Sequence, residues 1–172
     1  EKTYNNVMNK FKFGGVDKAG IYLDETVMRM CYTHRRLLSL LAMNLVQEGK
    51  DKQAKAVLAK AEKALPSYNI PHDYQSGSLD LAKAYALTGQ PKKAQQIIDN
   101  LWKKSTEYML WYCSLSTDRF AMSQQECMVH MYILDQILNL ESVVDEKQAK
   151  EKEAQFKAIG NLYETKGGTY GE

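Results

Sequence analysis

Two Cys-x-x-His steps, Cys31 with His34 and Cys127 with His130, each set a thiol and an imidazole one helical turn apart. Two sulfur and two nitrogen ligands make a set that holds zinc tetrahedrally. Structural zinc sites, however, usually draw on short knuckles and loops. Here both cysteines fall in the apolar stripe of long helical patterns, where a thiol packs as a small hydrophobe. Packing is the expectation, no cofactor is assigned, and the four residues stand only as weak metal candidates. The Cys-x-x-Cys-His run needed for covalent haem attachment is absent. The third cysteine, Cys113, leaves an odd count, and the redox compartment stays open.

Carboxylates gather at Asp24–Glu25 and Asp145–Glu146. Such groups could share general acid and base roles. Both pairs stand at expected helix starts, where acids accept from free backbone N–H groups and complement the dipole, so capping is the reading. The sequence contains no nucleophile elbow, Walker-type phosphate loop or HExxH. "FKFGG" lacks a preceding strand and reads as a turn that docks Phe11 or Phe13 on the first helix. No catalytic residue is assigned. Tyr108, Trp111 and Tyr112 lie near helical spacing with Trp102 about two turns before, and such a stripe packs helices more often than it stacks on sugars.

The elements that position these residues are helical. From Asp24 a stripe of Val27, Cys31, Leu38, Leu41, Ala42 and Leu45 predicts a helix over about 24–48, ended by Gly49. A second, over about 51–65, turns Ala54, Val57, Leu58 and Ala61 inward and stops at Pro66. After the connector "PSYNIPHDY" the pattern returns 40 residues on. Gly49 aligns with Gly89, Leu41 with Leu81, Ala42 with Ala82, Leu45 with Tyr85, Ala54 with Ala94 and Leu58 with Ile98.

These positions resemble the tetratricopeptide repeat: large residue, Leu, small residue, Tyr or Leu, a Gly turn, then Ala, large, Ala and a closing Pro. The unit at about 35–66 matches nearly throughout. The unit at about 75–106 departs at Ser78, Leu101 and Thr106, and its second helix is expected to overrun into "KKSTEYMLWYCS". Helices over about 118–142 and 145–164 would form a third pair. The resemblance implies an all-α fold, a right-handed α-α superhelix of about three antiparallel helix pairs over 24–164. An irregular segment, 1–23, would pack on it, and 165–172 would fray.

At 172 residues the chain can bury a core without staples, and one domain is the natural count. Its net charge of +2 arises from 23 basic and 21 acidic groups spread along the chain, which gives no footprint for nucleic acid. Lysine-rich stretches at 50–63 and 147–157 read as solvated helix faces. Apolar runs fall well short of the ~20 residues a bilayer span needs, so direct membrane insertion is not expected. The opening "EKTYNN" reads as an excised or processed start.

"NKFKFGG", "YLDETVMRM" with its following arginine pair, and "IPHDY" look like blocks in the C-terminal region of a bacterial family of multi-pass membrane proteins. The membrane portion of that family is similar to protein O-mannosyltransferases and related lipid-sugar-dependent glycosyltransferases. The resemblance implies a periplasmic, extracytoplasmic tail whose partner is a protein, a peptide or the membrane domain of the same chain.

In a repeat of this kind the first helix of each pair lines a concave groove. That points to Arg36, Ser39, Leu40 and Met43 from one unit and Ser76, Leu79, Asp80 and Lys83 from the next. Ser39, Met43, Ser76 and Asp80 stand where a clamp for C-terminal carboxylates would need Lys, Arg or Asn, so that specificity is rejected. The expected function is a non-catalytic protein-docking module. A carbohydrate-binding module built on the aromatics is the alternative, and a metal-dependent helical enzyme is a third.

Overall fold

The computed structural model describes residues 1–169. Among these the chain is all-helical, with no strand: α1 (Lys2–Asn9), α2 (Glu25–Gln47), α3 (Asp51–Ala64), α4 (Ser78–Leu87), α5 (Pro91–Ser114), α6 (Thr117–Met122), α7 (Gln124–Val144) and α8 (Glu146–Thr165). Two compact units divide the chain, Glu1–Ile97 and Ile98–Glu172, where length alone suggests a single domain. The boundary falls inside α5.

In the first unit α2 packs against both α3 and α4. Asp24 starts α2 by accepting from the Val27 backbone N–H at 2.9 Å. The turns that close α2 and α4 have the same geometry 40 residues apart. Gly49 (φ 72°) and Gly89 (φ 71°) both take the left-handed conformation that favours glycine. Lys50 N–H donates to Leu45 O, and Gln90 N–H donates to Tyr85 O. Ala42 and Ala82, and likewise Ala54 and Ala94, are wholly buried, because small side chains let helix axes approach closely.

The N-terminal segment is not wholly irregular, since Lys2–Asn9 is helical. Its sequence, KTYNNVMN, carries little intrinsic helix propensity. Tertiary contacts hold it: α1 rests on α3, Val7 is buried, and Lys60 Nζ donates to Met8 O at 2.8 Å. Phe11 and Phe13 both meet His34 of α2 edge-on, with ring centroids 6.1 and 5.6 Å away. Asn69 Nδ2 holds the following turn by donating to Val16 O and Lys18 O at 2.8 and 2.7 Å.

In the second unit α7 packs on α8 and α6 on α7. Helix α5 does overrun the repeat register, since Thr106 offers no stop where a proline would. The helix expected over 118–142 is broken at Ser123 into α6 and α7. The Ser123 hydroxyl donates to Arg119 O at 2.9 Å, drawing that carbonyl away from the helical ladder. Asp145 starts α8 by accepting from the backbone N–H groups of Lys147 and Gln148 at 3.0 and 3.1 Å. The beginning of the stretch expected to fray is instead tied back: Gly168 N–H donates to Tyr163 O at 3.0 Å, and Lys166 Nζ donates to Leu115 O at 3.1 Å. Residues 170–172 lie outside the described residues.

Candidate functional site: the α2 and α4 face

Helices α2 and α4 meet where Gly77 precedes α4. A Cβ at Gly77 would lie 3.1 Å from both Arg36 N and Tyr32 O, and its φ is +70°. Glycine is therefore required on two counts, steric and conformational. One step into α4, the Asp80 carboxylate accepts from Arg36 Nε at 3.2 Å, a charged link between the two helices. The pair is partly exposed and contributes about 0–1 kcal/mol, so it sets register more than stability.

Around this link, Leu40 stands 44% exposed, while Met43, Leu79 and Lys83 are half-buried. These residues together with Arg36 and Asp80 make a mixed apolar and charged surface. Ser39 and Ser76 do not belong to it. Both are wholly buried, so neither can line an open groove. Ser39 Oγ donates to Arg35 O at 2.8 Å, and Ser76 Oγ donates to Asp73 O at 2.8 Å and sits 2.7 Å from Ser78 Oγ. A hydroxyl fits an interior only where it finds such partners, and the sequence does not display them.

Behind this face lies a residue that the periodic reading passed over. Arg35 is 1% exposed. Its Nη1 donates to Ser78 Oγ at 3.1 Å and to Pro71 O and Ser76 O at 3.3 Å. Its Nη2 donates to Ile70 O and, at 3.4 Å, to Leu65 O. One guanidinium thus clasps the end of α3 and the connector that leads to α4. Burial lowers its pKa to about 10, so it remains charged at neutral pH. The signal for it was "HRRL", a charge set at a spacing that places it among the inward residues Cys31, Leu38 and Ala42.

The metal candidates are engaged elsewhere. His34 Nδ1 is 2.7 Å from Met30 O. His130 Nδ1 is 3.3 Å from Ser105 Oγ, and its ring stacks on Tyr108 at a centroid distance of 4.7 Å. Cys31 and Cys127 are buried, and desolvation raises both thiols, that of Cys127 to about 11. A raised thiol pKa opposes the thiolate that zinc would need. Among the described residues no cluster of three or more His, Cys, Asp or Glu is placed to hold a metal.

The aromatics divide. Trp102 is 6% exposed and donates through Nε1 to Gln155 Oε1 at 2.9 Å. Trp111 and Tyr108 stand 55% and 41% exposed. No helix among the described residues is long and apolar enough to cross a membrane. No family model, curated protein or solved structure matches the chain.

Proposed function

We propose that this chain is a non-catalytic docking module of tetratricopeptide-like architecture, a right-handed α-α superhelix whose exposed α2 and α4 face engages protein. The observation that carries this reading is the repeated hairpin turn. Gly49 and Gly89 close two helices with the same backbone hydrogen bonds at a 40-residue step, and the helices they close, α2 and α4, lie side by side. Stacked equivalent helices present a continuous surface, and the side chains on its outer side are the ones a partner would meet. Arg36, Leu40, Met43, Leu79, Asp80 and Lys83 offer that mixed surface.

The blocks resembling a glycosyltransferase-like membrane protein family extend the proposal: the module is the extracytoplasmic tail of such a protein, docking its own membrane domain or a neighbour. The test is recovery from detergent-solubilised membranes with the module as bait. We expect selective recovery of one protein by the wild type and its loss in an Arg36→Glu, Lys83→Glu variant of unchanged helicity. Equal recovery by both would move the interface off this face. Turnover of an activated sugar by the isolated chain would end the non-catalytic reading.

Exposure of Trp111 and Tyr108 favours a second reading, a carbohydrate-binding module. Stacking of a sugar on these rings would change Trp fluorescence on glycan titration, and Trp111→Ala would abolish the change. A response unaffected by that substitution would reject the rings as the platform.

A further inference from the structure

Within the first unit a cavity of about 260 Å³ opens beside the connector. Its wall includes Arg35 from α2, Glu62 from α3, His72 from the connector, Tyr85 from α4, and Lys93 and Gln96 from α5. The charge balance of this wall is uneven. Every acceptor of Arg35 is neutral, four backbone carbonyls and the Ser78 hydroxyl. Buried charges in proteins are ordinarily paired, and a guanidinium lacking a carboxylate leaves a positive potential in a weakly screened interior. Glu62 is the one acid lining the cavity, and it is already engaged: its Oε2 accepts from Lys93 Nζ and, at 3.5 Å, from the Tyr85 hydroxyl. Lys93 Nζ also sits 5.3 Å above the Tyr85 ring. Two fixed positive charges therefore face one negative charge, and hydroxyl, amide and imidazole groups surround them.

We propose that this cavity is a binding site for a small oxyanion, a carboxylate or phosphate group, with Arg35 as the counter-charge at its base and Lys93 as the hydrogen-bonding cation at its rim. The cavity falls just below the ~300–1,000 Å³ range of ligand pockets, so it suits a compact anion better than a nucleotide. Lys93 and Tyr85 donate to the incoming oxygens, and Glu62, whose side chain is 54% exposed, swings out toward water. Ser78 and the carbonyls around Arg35 keep the guanidinium fixed whether or not the site is filled. The site is separate from the α2 and α4 face, so its failure would leave the docking reading intact.

The experiment is a titration of the ¹⁵N-labelled chain with inorganic phosphate and, in a second arm, with sodium acetate, at constant ionic strength balanced by chloride. We expect saturable amide shifts at cavity residues such as Ser67, Leu81 and Gln96 in at least one arm. Lys93→Gln should weaken that binding about tenfold, as loss of one charge-assisted hydrogen bond does. Glu62→Gln, which removes the competing acid and frees Lys93, should tighten it several-fold. Both substitutions fall on exposed side-chain ends, so the wild-type spectrum elsewhere checks the fold. A response in the phosphate arm alone assigns a phosphate ligand, and one in the acetate arm alone a carboxylate. Shifts no larger than chloride gives, or affinity unchanged in Lys93→Gln and Glu62→Gln, would overturn the proposal.

Discussion

Single side chains in this molecule matter most where a charge or a backbone is enclosed. Lys152 of α8 is buried between two acids: Nζ lies 3.1 Å from Glu141 Oε2, which is wholly buried, and 3.0 Å from Asp99 Oδ1. Lys152→Met should destabilise the protein by roughly 3–5 kcal/mol, since it removes the ammonium that faces the buried Glu141 carboxylate. The double variant Lys152→Met, Glu141→Leu should recover most of that loss in urea unfolding. A double variant no better than the single would show that the cost is packing, not charge. Gly77→Ala is the backbone counterpart. A left-handed φ costs a residue with Cβ about 1–2 kcal/mol, and crowding against the α2 backbone adds to this. The expected loss is roughly 2–4 kcal/mol, measured as a lowered urea midpoint at unchanged slope. Neither residue stood out in the sequence. Lys152 sits in an alternation of Lys, Glu and Ala that reads as a solvated face, and Gly77 stands between Ser76 and Ser78 with no signal of its own. Their roles depend on which surface arrives from elsewhere in the chain.

Among the helices, starts and stops were legible where local chemistry decides them and illegible where tertiary contact does. Asp24, Asp145, Gly49 and Gly89 act within one turn of themselves, so their sequence signals hold in the structure. Helix α1 depends on Lys60 and on a buried Val7, and no pattern in KTYNNVMN announces either. The break at Ser123 rests on a choice between two hydrogen-bond partners, which periodicity does not register. The candidate face divided on the same principle. Arg36, Leu40 and Asp80 fall where helical phase puts them, whereas Ser39 and Ser76 are buried by neighbouring elements, their hydroxyls satisfied within four residues by Arg35 O and by Asp73 O and Ser78 Oγ. The start of α8 carries a pH signature. Hydrogen bonds from the Gln148 backbone and side chain, then from the Lys147 backbone, hold the Asp145 carboxyl below its ordinary value of 3.8. A depressed folded-state pKa means the cap stabilises above the unfolded value and is lost as pH falls through the folded one. The protection of amides in the first turn of α8, taken relative to intrinsic exchange at each pH, should therefore fall below about pH 4 in the wild type. In Asp145→Asn that protection should already be lower at neutral pH, with no further acid step of this origin. An acid step that persists in the variant would assign it to another carboxylate.

Across the whole molecule, the boundary between the two compact units falls inside the span of α5, and this raises the question of whether they open together. Contacts concentrate within Glu1–Ile97 and within Ile98–Glu172, the pattern expected of separate cooperative units. The chain supplies its own reporters. Both tryptophans, Trp102 and Trp111, lie in the second unit, and the first has none, so indole fluorescence follows one unit while far-ultraviolet circular dichroism follows both. Gly77→Ala loosens only the first unit by direct contact, because Arg36 and Tyr32 belong to the same unit. If the units open separately, the variant should lower the dichroism midpoint clearly and leave the fluorescence midpoint nearly in place. Helix α5 tempers this, since melting up to Ile97 removes its N-terminal turns and leaves about 4.7 turns to be held by the second unit. A small shift in fluorescence is therefore expected, well below that in dichroism. Equal shifts by the two probes would mean that α5 transmits the loss in full and that the chain unfolds in one step. For a docking module the difference has a consequence: where the first unit of the Gly77→Ala variant opens before the second, the α2 and α4 face is lost at a lower denaturant concentration than Trp111 and its neighbours. Binding through that face would then fail before the fluorescence changed, and binding through the exposed aromatics would fail with it.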